Sequence, residues 1–94
     1  MDLSFEWDPK KAASNRAKHR ISFEEAVGAF GDSLARIFDD PDHSGGEARE
    51  ILVGHDIRRR LLVVCFVQRV DRIRIFSARR ATRQERKDYE EGTS

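Results

Sequence analysis

A single cysteine, Cys65, excludes an internal disulfide, and with only two prolines the chain has few obligatory breaks in regular structure. Cys65 sits inside an apolar run, where burial raises a thiol's pKa, so it reads as a core thiol rather than a nucleophile. That run, residues 61–67 (LLVVCFV), is the longest in the chain and about a third of the ~20 residues a membrane span needs. No charged-then-apolar leader opens the sequence, so nothing in it directs export, and the chain reads as cytoplasmic. Gly-rich phosphate loops, the GxGxxG fingerprint and the nucleophile elbow are missing, which removes the common nucleotide-binding and serine-hydrolase readings. His19, His43 and His55 lie far apart and lack cysteine or carboxylate neighbours at ligand spacing, so no zinc site is expected. Asp39, Asp40 and Asp42 stand close enough to hold a cation, but a solvated turn is the better reading. Neither a metal nor a cofactor is expected.

What the chain does have is charge, unevenly placed. Charged residues make up 37% of the sequence and apolar ones 38%, in clusters that favour a folded domain over disorder. Residues 1–56 carry 7 Lys/Arg against 12 Asp/Glu, net −5, whereas residues 57–94 carry 11 against 5, net +6. Ten of those eleven cations are arginine, whose planar fork suits bidentate phosphate contacts. A polyanion, most plausibly nucleic acid, is one partner this distribution fits. A surface laced with salt bridges is the other reading, and charge alone does not separate the two.

The periodicities give an element order. Phe5-Glu6-Trp7 reads as a short strand, with Asp8 as N-cap and Pro9 at the first position of a helix to about Arg20. That helix is alanine-built, so much of it should be solvated; Asn15 and His19 share one face. Ser22 and Glu25 form a capping box, Ile21 and Ala26 sit at staple spacing, and Gly31 is the natural stop of a second helix. Residues 33–39 read as a strand, 40–46 as a loop, 47–55 as a strand, 56–59 as a turn and 61–70 as a strand buried on both faces. A turn near Arg69 to Arg72 leads to the last strand, and Gly92 to Ser94 should fray. The expected fold is a single α+β domain over residues 1–94. It has a mostly antiparallel sheet of about four to five strands, two N-terminal helices and one C-terminal helix.

Residues 71–91 (DRIRIFSARRATRQERKDYEE) concentrate the chemistry. Strand alternation ends in Arg79-Arg80, and the Thr82/Glu85 capping box opens a helix just beyond, so two cations meet a helix N-terminus. In an unbroken strand Arg79 would share the Ile73/Ile75 face and Arg80 the Arg74/Phe76 face. Such a corner suits phosphate chemistry without metal. A ribose 2′-hydroxyl can attack its own phosphodiester if a base, an acid and cations for the developing charge are supplied. Arg79 and Arg80 can supply the cations. Histidine is the residue type that titrates near neutral pH, so His19 suits proton transfer, and Lys18 can share the phosphate. Tyr89 can stack, transfer a proton or simply pack its helix onto the sheet, while Glu85 reads as a cap.

Taken together the segments resemble the BrnT family of bacterial type II toxins, small ribonucleases of RelE-like architecture. The matching stretches are residues 5–32 (FEWDPKKAASNRAKHRISFEEAVGAFGD), Glu47-x-Arg49 with Gly54 downstream, residues 61–64, and residues 73–91 (IRIFSARRATRQERKDYEE). The family commonly reads Lys-His-Gly where this chain has Lys18-His19-Arg20. The resemblance implies a metal-independent endoribonuclease that inhibits translation, and a BrnA-like antitoxin that neutralises it. It implies a hetero-oligomer of 2:2 type that contacts operator DNA through the antitoxin. Carried onto this sequence, Lys18, His19, Arg79, Arg80 and Tyr89 are the candidate catalytic residues, and Arg49, His55, Arg58, Arg74 and Arg83 the candidate RNA-binding ones. The alternative is a degenerate toxin that binds nucleic acid or antitoxin without catalysis.

Overall fold

A computed structural model of the chain describes residues 4–41 and 47–92. The elements follow the expected order: β1 Ser4–Glu6, α1 Pro9–His19, α2 Phe23–Ala29, β2 Arg36–Asp39, β3 Glu50–His55, β4 Leu61–Gln68, β5 Arg72–Arg80 and α3 Arg83–Glu90. They form one five-stranded sheet in the order β1-β5-β4-β3-β2. Only β1 runs parallel to its neighbour, pairing Ser4 to Glu6 with Arg72 to Arg74. The centre is β4, as its unbroken apolar run requires, because a central strand is covered on both faces.

Local chemistry accounts for the helix starts. Asp8 accepts from the Lys10 N–H at 2.8 Å, with Pro9 at the position where a missing N–H costs nothing. Ser22/Glu25 and Thr82/Glu85 both close as full capping boxes. Ile21 and Phe23 are fully buried and, with Ala26 and Ala29, cover the sheet face built from Leu52, Leu62, Val64, Phe66, Ile73, Ile75 and Ala78. Edge-on aromatic contacts run through this layer, Phe5–Phe30 and Phe30–Phe66 at 5.1 Å and Trp7–Phe23 at 5.8 Å. Gly54 is required by close approach: a Cβ there would stand 2.9 Å from the Ala35 Cβ and 3.1 Å from the Ala29 carbonyl. That contact lets α2 settle on β3.

Several boundaries differ from expectation. β2 starts at Arg36 because residues 32–35 make a turn: the Asp32 carboxylate accepts from the Leu34 N–H, and the Ala35 N–H reaches the Asp32 carbonyl. β3 starts at Glu50 rather than 47. Gly31 is not a left-handed cap; α2 ends at Phe30 in ordinary helical geometry. The left-handed cap occurs instead at Arg20, with φ 62°, where the N–H closes onto the Arg16 carbonyl. Gly92 is not frayed: it takes φ 71° and its carbonyl accepts from Arg36 at 2.6 Å, whereas residues 93–94 lie outside the described residues. The loop expected over 40–46 also lies largely outside them, at residues 42–46.

Candidate functional site

The helix α2 covers one face of the sheet and α1 lies along β5 at its edge, so the groups of interest gather at that edge and on the face away from α2. β1 pairs only with the first three residues of β5, so the outer edge of β5 is open beyond Arg74. α1 closes it through one side chain. The Asn15 amide donates to the Ala78 carbonyl at 2.8 Å and accepts from the Ala78 N–H at 3.0 Å, copying the pairing a neighbouring strand would offer. The same amide donates to the Ile21 carbonyl at 2.9 Å, which also fixes the chain as it leaves α1. Asn15 is 7% exposed and makes three of the four bonds its amide can form.

This docking leaves a groove of about 350 Å3 between α1 and β5, lined by Lys10, Lys11, Ser14, Asn15, Lys18, His19, Phe76 and Ser77. Lys18 and His19 therefore do share a wall, and its opposite side is β5. Arg16, Lys18 and His19 also occupy the last turn of α1, where cations suit the helix dipole.

The β5 wall is shaped by a β-bulge. Ile75 pairs with Phe66 and Ser77 with Cys65, so Phe76 is an extra residue without a partner on β4. One inserted residue exchanges the faces of everything beyond it. Ala78, not Arg79, continues the buried side of Ile75, and Arg79 stands opposite Val63 on the face shared with Ser77. The unbroken alternation that put Arg79 with Ile73 and Ile75 is thus overturned. Arg80 pairs with Leu62, on the other side of the strand, and is exposed.

Arg79 is held rather than free. Its two terminal nitrogens donate to the two oxygens of Glu85 at 2.8 and 2.9 Å. The Arg79 fork, together with the Thr82 N–H, pulls the Glu85 carboxyl down to about 2, and the same pairing raises Arg79. Glu85 is therefore a cap and an ion-pair partner at once. Next to this pair, a second groove of about 370 Å3 lies between α3 and the sheet, floored by Ile51, Val53 and Val63 and rimmed by Arg36, Phe38, Arg79, Asp88 and Tyr89.

Tyr89 and His55 are placed away from the Lys18–His19 wall. The Tyr89 hydroxyl lies 3.3 Å from the Asp32 carboxylate and 3.2 Å from the Leu34 carbonyl, its ring packs edge-on against His55 at 5.4 Å, and the Arg36 guanidinium lies over it at 5.7 Å. Burial, then the neighbouring Asp32 charge, pushes the Tyr89 phenol up. His55 Nδ1 lies 3.4 Å from Asp32, whose carboxyl is lowered chiefly by the His55 backbone N–H. The pair ties α3 to β3 and the β2 turn. Of the other candidate RNA contacts, Arg49 touches a wall of the first groove without lining it, its guanidinium 4.3 Å from the centre of the Phe76 ring. Arg74 pairs with Glu6 at 3.4 Å, Arg58 stands 3.6 Å from Glu25 in the β3–β4 turn, and Arg83 is exposed on α3.

Cys65 is half-buried on the groove face, opposite Ser77 and Ile51, rather than in the helix-covered core. Burial, aided by Asp40 at 3.5 Å, pushes the thiol up to about 11, so it stays protonated. Among the described residues, no three His, Cys, Asp or Glu side chains converge to hold a metal ion.

Sequence reasoning missed Asn15 as a docking residue, Lys10, Lys11 and Ser14 as groove walls, Phe76 as the bulge and Asp32 as the anchor of Tyr89. Asn15 carried a signal, since asparagine is a poor helix-interior residue and its presence amid alanines calls for a reason. The bulge carried none.

Comparison with known proteins accords with this architecture. The family model described as ribonuclease toxin, BrnT, of type II toxin–antitoxin systems matches residues 7–85. Among solved structures, the Brucella abortus ribonuclease toxin BrnT superposes with a TM-score of 0.66 at 20% identity, over 87% of this chain and 100% of that one. At that identity the likeness is one of fold. No curated protein matches.

Proposed function

The chain belongs to the BrnT family of ribonuclease toxins of type II toxin–antitoxin systems, and from that premise we propose that it cleaves RNA internally without a metal ion and so inhibits translation. The observation that carries this reading is the groove between α1 and β5, where Lys18 and His19 face Phe76 and Ser77, with Arg79 on the same face of β5 as Ser77 and lining the second groove. His19 takes the proton of a ribose 2′-hydroxyl, whose oxygen attacks the adjacent phosphorus. Lys18 and Arg79 stabilise the charge that builds on the phosphoryl oxygens. A protonated group returns a proton to the departing 5′-oxygen, leaving a 2′,3′-cyclic phosphate and a 5′-hydroxyl. No step needs redox chemistry.

In this scheme Arg49 lies along the path of the bound strand, while Arg80, Arg58, Arg74 and Arg83 contribute attraction from the surrounding surface. Tyr89 and His55 hold α3 in place, and Arg79 with it. The partner is a BrnA-like antitoxin that assembles 2:2 with the toxin and carries operator binding, and the pair acts in the cytoplasm.

The test is incubation of purified protein with RNA in EDTA. Fragments ending in 2′,3′-cyclic phosphate are expected; complete loss of cleavage on chelation refutes the mechanism. Growth arrest on expression without antitoxin, relieved by coexpression, checks the biology. One feature favours a second reading, binding without catalysis: Glu85 already occupies both terminal nitrogens of Arg79. Intact RNA recovered from a salt-sensitive complex would establish that reading instead.

A further inference from the structure

The aromatic ring at the bulge has no structural duty to explain it. Phe76 lies outside the buried cluster that Phe5, Trp7 and Phe30 pack against, and it is half-buried on the groove face. Its ring neighbours are cations: the Lys11 ammonium stands 5.1 Å and the Arg49 guanidinium 4.3 Å from the ring centre. The bulge is what re-aims it, because a residue at position 76 without a β4 partner is released from the alternation of the strand. Lys11 and Phe76 line the same groove as Lys18 and His19.

An aromatic ring set among phosphate-binding cations is the arrangement that takes single-stranded nucleic acid, with the base on the π-face and the cations on the flanking backbone. We infer that Phe76 is a stacking platform for an unpaired nucleobase next to a phosphate held at the Lys18–His19 wall of the groove, and that Lys11 and Arg49 hold the ring site until a base replaces one of them. The inference rests on the ribonuclease reading for its ligand, single-stranded RNA, but not on catalysis. A displaced ammonium or guanidinium is then left beside a phosphate, so the exchange keeps each charge paired. Stacking is indifferent to base identity, which makes Phe76 an affinity and positioning residue rather than a reader of sequence.

The test uses a short single-stranded oligodeoxynucleotide, which lacks the attacking 2′-hydroxyl, and an abasic oligomer of equal length and charge. Phe76→Leu keeps apolar volume and removes the stacking face. It should weaken binding of the base-containing oligomer by roughly 5- to 100-fold, leave the abasic oligomer unaffected and leave the salt dependence unchanged. Arg49→Ala should instead reduce the salt slope by about one for both ligands. Phe76→Trp should restore affinity, and its fluorescence should quench with the base-containing oligomer only, which keeps the question answerable if the leucine variant fails to fold. Equal losses on both oligomers, or no loss on either, overturn the inference. Cleavage of RNA with Phe76-independent binding would sink the platform and leave the nuclease standing; Phe76-dependent binding with no cleavage would do the reverse.

Discussion

Replacing Asn15 tests whether one side chain joins α1 to the sheet. In Asn15→Ala three bonds disappear, leaving the Ala78 N–H, the Ala78 carbonyl and the Ile21 carbonyl without their partner, in residues that are 0% exposed. Each buried polar group left unpaired costs ~1–3 kcal/mol, and partial entry of water offsets some of it, so a loss of about 3–5 kcal/mol is expected. That is a large share of the ~5–15 kcal/mol that holds a domain together, and at ~4–8 °C per kcal/mol it lowers Tm by more than ~12 °C. Asn15→Asp separates shape from hydrogen bonding. It can still accept from the Ala78 N–H, but it turns the amide donor into a carboxylate oxygen facing two carbonyls. The folded state then raises that carboxyl's pKa above its unfolded value. The variant should be least stable above the folded pKa and regain stability as pH falls through it. Urea unfolding followed by circular dichroism, repeated across pH, reads both effects. An alanine variant within about 1 kcal/mol of wild type, or an aspartate variant with no pH-dependent recovery, would refute the docking role.

Three other outcomes follow from the same structure. Arg20→Gly should raise stability by about 0.5–1 kcal/mol, since an arginine now holds φ 62° where glycine has no Cβ to clash; a drop in the urea midpoint would count against it. Asp56→Ala should cost about 3 kcal/mol or more, because a carboxylate 1% exposed accepts from the Arg58 and Arg60 N–H groups and from the Arg60 side chain, all within 3.0 Å; a melt near wild type would contradict this. Glu85 and Glu25 are both lowered to about 2, the first chiefly by Arg79 and the second by the Ser22 N–H, so each adds stability above the unfolded carboxyl value. That contribution is lost as pH falls from ~4.5 towards 2, and Glu85→Gln should flatten this acid limb in unfolding curves taken at stepped pH.

Within the candidate site, sequence and structure agree where the signals are local. Asp8-Pro9, Ser22/Glu25 and Thr82/Glu85 named their own helix starts, because a cap is made by residues at most three positions apart. Gly31 marked the stop of α2, which ends at Ala29 with Phe30 as cap, but the cap takes ordinary helical geometry and the left-handed turn falls at Arg20. Lys18 and His19 were legible as a basic helix end, and the structure places them on one groove wall. Phe76 was not, because it stands more than fifty positions away in the chain; Lys10 and Lys11 share the helix, but which side of α1 meets β5 is set by the Asn15 docking.

The sequence alone determined the α+β order, the central place of β4 and the arginines at the end of β5, since apolar periodicity and capping chemistry are written in consecutive residues. Which arginine faces the groove was decided only by the tertiary structure. Strand alternation put Arg79 with Ile75, and the bulge at Phe76 reversed it. A bulge is fixed by the register between two strands, and β4 and β5 settle that register through long-range packing of Val64 on Ala78 and Phe66 on Ile75. The partner of Asn15 was decided in the same way: its amide is visible in the sequence, but the open edge of β5 that it pairs with exists only once β1 has stopped at Glu6.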